Sequence, residues 1–505
     1  MQEISKQRLS PNIIAFYYLL IKNNDVVDKL LISEVYMKKN HFIICASFFL
    51  TLGVSLCACN EPTSESKSEN VPVSIVKPAF AVDIALNEVE EEFDPYTEKQ
   101  SGYLSDTYDN ISKYGSGSSE NSKPNKLSLT WSVENPEVEL TNLRLNLLEK
   151  DSTGAFTLGA SYLLEKDTTS FEVTNLKVGQ DYEWSITAIS GDKEVESIHS
   201  SFKTKEGTVK YKGIEQYGKE GTANVRFIDI DGLSNVRDCG GWTGLDGKRI
   251  KQGLLYRGEE FNKQNNGRSG SGSTGVYDPS KVDPNDPYGQ KISETGINTV
   301  VNELKIKTEV DIRGYETFDW ESRVNYAPTE CGGLSGALPD GSTDEEKGVV
   351  GIIDEVNYVI CPVHTNRDKI YYDSYGRTAC KNFFSMLADK ETRLPLYFHC
   401  AQGKDRTGFL AYLFQAFLGC NEEDMMRDYL LSNMGKTGSV SVSKLVGSSA
   451  NYNYVDYFNG KAVTNDGKSD QAEGDTIAER AYNYLLSCGL TSEQLDTIRD
   501  IFLED

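Results

Sequence analysis

Between residues 71 and 205, apolar and polar positions alternate in short runs broken by Gly, Asn, Asp and Lys. This is the two-residue period of strands that bury one face. Candidate strands lie at 127–133, 143–148, 162–164, 170–173, 182–188 and 197–204, a spacing that predicts an all-β sandwich. The earlier stretch, 71–122, carries acidic residues at 88–93 and a Gly/Ser run at 115–119 and reads as a strand-bearing lead-in or linker. From about Gly221 the pattern changes to strands alternating with helices, which predicts an α/β layer architecture. Its strands are expected at 225–230, 307–312 and 394–398, and its helices at 292–304, 379–388 and 409–419, the last stopped by Gly419. Two later helices open with capping boxes, Thr476 with Glu479 and Thr491 with Gln494. Stretches rich in Gly, Ser, Asn and Asp at 262–290 and 435–474 read as surface loop insertions that could shape access to a site.

The amino-terminal part has a different pattern. Met37 opens a short basic region, Lys38-Lys39, followed by an apolar run over 42–56 and then Leu56-Cys57-Ala58-Cys59. The run is too short for a stable membrane span, and the order is that of an export signal. The tetrapeptide resembles a bacterial lipobox, which implies lipidation of Cys59, anchoring to a membrane through that lipid, and a periplasmic or surface-facing location. Residues 1–58 are then an upstream extension and signal peptide, and 59–70 a polar tether. The sandwich follows over 71–206, and the α/β domain over 207–505.

Composition narrows the function classes. The 505 residues are 38% hydrophobic and 25% charged, ordinary for folded soluble domains. The formal charge of −24 leaves no basic stripe to bind nucleic acid, so a phosphate-bearing ligand must be attracted locally. The ten cysteines show neither paired metal spacing nor the density of a disulfide scaffold, and no metal or other cofactor is implied. Most read as buried small apolar residues.

Cys400 is the exception. It stands in His399-Cys400-Ala401-Gln402-Gly403-Lys404-Asp405-Arg406-Thr407-Gly408, between a predicted buried strand and a helix expected to begin near Thr407. Such a turn aims backbone N–H groups of 401–404 and the positive helix end at one point, which suits a phosphate dianion and lowers the pKa of a thiol placed there. Arg406 can clamp two phosphate oxygens with its planar fork. Thr407 can hydrogen-bond the departing thiolate. A nucleotide-binding Gly-Lys-Ser/Thr loop is excluded by Asp405. The expected chemistry is in-line attack of Cys400 on phosphorus and hydrolysis of the resulting cysteinyl-phosphate by water.

The loop resembles that of the protein tyrosine phosphatase superfamily. Its Gly-Lys-Asp-Arg-Thr-Gly form is similar to the bacterial and fungal group with broad phosphotyrosine, phosphoserine and phosphoinositide specificity. The likeness extends through Asn235-Val236-Arg237-Asp238-Cys239-Gly240-Gly241, Gly253-Leu254-Leu255-Tyr256-Arg257-Gly258, Val310-Asp311-Ile312-Arg313 and Asp428-Tyr429-Leu430-Leu431-Ser432-Asn433. Gly258 replaces that group's usual serine. The resemblance implies an α/β phosphatase-like domain with a central, mostly parallel sheet flanked by helices. Within the sandwich, the segment 176–188 and Trp131 resemble a fibronectin type III module, most clearly over 123–205.

The leaving oxygen needs a proton, and no Trp-Pro-Asp segment supplies the superfamily's usual acid. Two candidates remain open: Asp405, whose alternative is an orienting role in the loop, and Asp311, whose alternative is a salt bridge to Arg313. His399, Asn235, Arg237 and Asp238 are expected to brace the loop. Lys404 adds a cation beside it. Cys239 is either a substituted apolar residue or a disulfide partner for Cys400. The sequence thus points to an exported, lipid-anchored phosphatase acting on phosphorylated proteins or peptides, most of all on phosphotyrosine. The alternatives are a phosphoinositide or inositol-phosphate phosphatase and a surface binding protein with a vestigial phosphatase domain.

Overall fold

The computed structural model describes residues 80–115, 117–212, 220–262, 289–313, 351–361, 363, 374–436, 440–441, 454–461 and 471–504. All belong to one compact unit, Val76–Asp505. The predicted export segment with Cys59, the predicted tether and most of both predicted loop insertions lie outside the described residues. Among the described residues no helix is long and apolar enough to cross a membrane.

The first half is a sandwich. One sheet is β1 (Asp83–Leu86), β3 (Leu127–Glu134) and β6 (Ser170–Val173). The facing sheet is β2 (Glu92–Phe93), β9 (Ser200–Thr204), β7 (Asp181–Ser190), β4 (Asn142–Lys150) and β5 (Phe156–Glu165), with β8 (Lys193–Glu196) paired to β7. Alternate residues of β3 and β4 (Leu127, Leu129 and Trp131; Leu143, Leu145 and Leu147) point into the space between the sheets. There Trp131 meets Trp184 at 6.4 Å between ring centroids.

The lead-in departs from expectation after β2. Residues 98–122 are helical: α1 (Glu98–Leu104), capped by a Thr97/Gln100 box, is followed by two 3-10 turns, Tyr108–Lys113 and Ser119–Ser122. Tyr103, Leu104 and Ile111 leave the sandwich and enter the core of the second half.

That half begins with β10 (Thr208–Lys210) and β11 (Glu220–Thr222), an antiparallel pair. Residues 225–230, expected as a strand, pair only at one bridge, Phe227 to Arg237. The sandwich takes their polar groups instead: the Asp229 N–H donates to Asn175 Oδ1 at 2.6 Å and Arg226 Nε donates to the Asn175 carbonyl at 2.9 Å. The main sheet has the order β12 (Arg237–Asp238), β13 (Leu255–Gly258), β16 (Leu396–His399), β14 (Thr308–Asp311) and β15 (Asn357–Ile360). The last four strands are parallel, and β12 is antiparallel to β13. Gly258, His399 and Asp311 share one register level, so these three strand ends arrive together.

Helices complete the layers: α2 (Glu294–Asn298), continued by a π turn at Thr299–Glu303; α3 (Ser374–Leu387); α4 (Lys390–Arg393); α5 (Asp405–Phe417); α6 (Glu422–Leu430); α7 (Tyr454–Phe458); α8 (Ile477–Cys488); and α9 (Ser492–Phe502). Both predicted capping boxes are formed. Every residue of α5 from Thr407 to Phe417 is buried, the mark of a helix enclosed on all sides. Short α7 stands inside the stretch read as a loop insertion, where Tyr454 meets Phe409 and Tyr412 of α5 edge-on and Phe458 lies tilted against Tyr412.

Candidate active site

At the carboxyl edge of the sheet, β16 ends on His399 and α5 begins on Asp405, two residues before the expected start. The five residues between form a tight loop. Gly403 has φ +63°, and an added Cβ would overlap the Gly258 carbonyl oxygen. Only glycine meets both conditions. The loop's outward carbonyls are tied down from behind: Asn235 Nδ2 donates to Gln402 O at 3.0 Å and to Gly403 O at 3.2 Å, and Arg257 Nη2 donates to Gly403 O at 3.0 Å.

Those two residues are held in turn by a buried ion cluster. Asp428 accepts from Arg237 Nε at 2.9 Å and from Arg257 Nη1 at 2.7 Å, while Arg237 Nη1 reaches Asn235 Oδ1 at 2.7 Å. Arg237 therefore acts on the loop through Asn235. Asp238 does not join this brace. Its oxygens accept from the N–H groups of Gly240 and Gly253 and face Arg226, so it ties the β12 turn to the sandwich junction. Cys239 is buried in the apolar core with its thiol pushed far up by burial, the environment of a substituted apolar residue.

Cys400 is 4% exposed, and its N–H donates to Thr407 Oγ1 at 2.8 Å. Burial by itself would raise its pKa. The Arg406 charge, the Thr407 hydroxyl and the N–H groups of Thr407 and Gln402 outweigh burial and hold the thiol below its ordinary value. Arg406 Nη1 is shielded from solvent and finds no hydrogen-bond partner among the described residues. A buried, unpaired guanidinium nitrogen beside an activated thiol fits an absent anion.

Behind the nucleophile, His399 Nε2 lies 2.8 Å from Glu309 Oε1 and Nδ1 lies 3.2 Å from Cys400 O. The carbonyl only accepts, so Nδ1 carries a proton. Burial raises the Glu309 carboxyl, whereas Glu309 and Asp311 together raise the imidazole against the opposing effect of burial. The contacts to Glu309 and to the Cys400 carbonyl fix the ring behind Cys400.

The two candidate acids differ in setting. Asp311 accepts from Arg313 Nε at 2.8 and 2.9 Å, from Arg313 Nη2 at 2.6 Å and from Tyr358 Oη at 2.7 Å. Despite burial, Arg313 and His399 hold its carboxyl at about 2. It is a salt-bridge partner with no proton to give. Asp405, the first residue of α5, is partly exposed and accepts from Tyr429 Oη at 3.2 Å. Lys404 stands beside it and makes no ion pair among the described residues.

Three contributors were absent from the sequence-derived site: Arg257, Asp428 and Glu309. The first two stood inside recognised segments, but their function is visible only once β13 and α6 face each other. Glu309 gave a signal only through strand period, since it points to the same side of β14 as Asp311.

A strand-ending cysteine, a glycine-turned loop and an arginine in the first turn of the next helix thus stand together as the candidate phosphatase site. The chain belongs to the tyrosine phosphatase family, whose model matches residues 228–269 and 289–504, and a fibronectin type III domain matches residues 116–203. A Cupriavidus necator protein named "Putative tyrosine-protein phosphatase H16_A0669" is 28% identical over 214 residues, 41% of this chain and 63% of that protein. Among solved structures, the third fibronectin III domain of human KIAA0343 protein is similar at 13% identity and a TM-score of 0.16, over 31% of this chain and 100% of that one. A computer-redesigned β-sandwich protein is similar at 22% identity and a TM-score of 0.14, over 16% of this chain and 80% of its own.

Proposed function

We propose that the chain hydrolyses phosphate monoesters through a cysteinyl-phosphate intermediate, with phosphotyrosine in proteins or peptides as the main substrate and a breadth that extends to phosphoserine. The observation that carries this reading is the pairing of a pKa-lowered Cys400 thiol with a buried Arg406 Nη1 that has no hydrogen-bond partner among the described residues. Cys400 attacks phosphorus in line with the ester oxygen. The amides of 401–404 and the Arg406 fork hold the three equatorial oxygens, and Asp405 delivers the proton to the departing oxygen. Water then displaces the Cys400 thiolate, which the Thr407 hydroxyl and N–H stabilise.

Lys404, which makes no ion pair among the described residues, favours a second reading in which a phosphoinositide or inositol phosphate is accepted, since a further phosphate would meet that cation. The lipobox-like Leu56-Cys57-Ala58-Cys59 supports export and a lipid anchor at Cys59. The intact site speaks against a vestigial phosphatase domain on a binding protein.

Turnover of phosphotyrosine peptide, phosphoserine peptide, phosphoinositide and inositol phosphates by wild type and Cys400→Ser tests the proposal. Loss of all turnover in Cys400→Ser supports it, and the order of rates names the substrate class. If no substrate is hydrolysed in a Cys400-dependent way, the binding-protein reading stands instead. Incorporation of a palmitate analogue at Cys59 in cells checks the anchor, and an unlabelled protein removes it.

A further inference from the structure

Two thiols away from the phosphate loop face each other. Cys380 lies in α3, fully buried, and Cys488 is the partly exposed last residue of α8. The contacts around them interlock the two helices in one register. Arg377, one turn before Cys380, donates through Nη2 to Ser487 O at 2.6 Å and to Ser487 Oγ at 2.8 Å, and its guanidinium sits 5.6 Å over the Tyr484 ring. Cys380 Sγ lies 3.8 Å from Tyr484 Oη. On the other side, Lys381 reaches Gly489, where an added Cβ would lie 3.5 Å from the lysine chain. Cys380 and Cys488 thus sit between matched contacts, with their side chains close enough to influence each other's titration.

We propose that Cys380 and Cys488 form a disulfide site that staples α3 to α8 when the protein meets a disulfide oxidant, either a small-molecule disulfide or an exposed disulfide of a protein oxidase. The Cys488 thiolate attacks one sulfur of the oxidant, forming a mixed disulfide and expelling one oxidant thiolate. The Cys380 thiolate then attacks Cys488 Sγ, forming the internal bond and expelling the second. The cysteines lose two electrons, and the oxidant gains them as two thiols that take up the two protons.

The asymmetry of the pair sets this order. The neighbouring Cys380 thiol and the Arg377 charge lower the Cys488 thiol, while burial raises that of Cys380. The more acidic sulfur of the partly exposed Cys488 therefore meets the oxidant, and the buried one resolves the mixed disulfide. Cys361 also lies near Cys380, but it is buried and donates to Ala379 O at 3.4 Å, so no oxidant reaches it first.

The closed loop runs from 380 to 488 and contains the whole phosphate loop and α5, so the staple restrains the unfolded chain across the catalytic core. It leaves Cys400 free, and it does not rest on the phosphatase reading.

The test uses the full chain, reduced and then equilibrated with oxidised glutathione, alkylated, digested and mapped by mass spectrometry. The expected product is a 380–488 linked peptide pair, with a Tm roughly 5–10 °C above the reduced form. Cys488→Ser should lose both while keeping turnover within about twofold. Full alkylation of both cysteines, a 361–380 link, or a glutathione adduct that persists on Cys488 would each overturn the proposal. Mapping of the wild type decides even if the variant folds poorly, and it decides even if no phosphate ester is hydrolysed.

Discussion

Asp405 and Asp311 show how environment separates two carboxylates that look alike in sequence. Asp405 accepts from Tyr429 Oη and borders the phosphate cradle. Asp405→Asn should lower turnover of alkyl phosphates by about 10²–10⁴ and of aryl phosphates far less, because a phenolate leaves without a full proton. It should also remove the limb of the pH–rate profile that reports a protonated acid. Equal losses on both substrates with an unchanged profile would leave Asp405 as an orienting group. Asp311 contributes to stability instead. Its folded pKa of about 2 lies below the unfolded value of about 3.9, so its contribution is full above the unfolded value and is lost as pH falls through about 2. That contribution is roughly 2–3 kcal/mol. Asp311→Asn should therefore lower Tm at pH 7 by several degrees, with a gap to wild type that closes toward pH 2; thermal melts across that range check it.

At the scale of elements, the β16–loop–α5 unit was legible because its determinants are local: an apolar strand, one glycine and a helix, all within about twenty residues. The capping boxes of α8 and α9 were legible for the same reason. What was hidden depends on distant partners. The seven-residue α1 carries its own Thr97/Gln100 capping box, but nothing near it in sequence shows that its apolar face belongs to the catalytic core. The partner is α6, whose buried Arg427 donates to Tyr103 O, Asp106 O and Lys210 O at 3.0, 2.9 and 2.7 Å. Arg427→Met would leave those three carbonyls without that donor. A loss of about 2–4 kcal/mol is expected, read as a lowered Tm and as earlier tryptic cleavage at Lys99 and Lys113. Unchanged melting and cleavage would show that α1 is held by apolar contacts alone.

At the scale of the whole molecule, the expected boundary near residue 207 does not separate two independent cores. Tyr96, Tyr103, Leu104 and Ile111 lie before it and share one apolar cluster with Phe409, Leu430 and Tyr484. Across the junction, Asn175 holds both Arg226 and Asp229, and Gln252 exchanges two hydrogen bonds with the backbone of Val178 at 3.0 and 2.9 Å. A fragment starting at 207 should be less soluble and melt far below one starting at 80; expression and calorimetry of the two decide this. Sequence period located both architectures correctly, but it carries no record of one layer lending side chains to another.

The contact between Gly403 and Gly258 also bears on how this sequence can change over time. The family's usual serine at 258 would set its Cβ against Tyr397 Oη, which itself donates to Glu259 O at 2.6 Å. A lineage carrying this tyrosine cannot recover the serine in one step without straining the strand beneath the nucleophile. Val236 also crowds that Cβ, through Cγ2 at 2.8 Å, so positions 236, 258 and 397 are expected to drift together, with smaller side chains at 236 and 397 in a relative that has serine at 258.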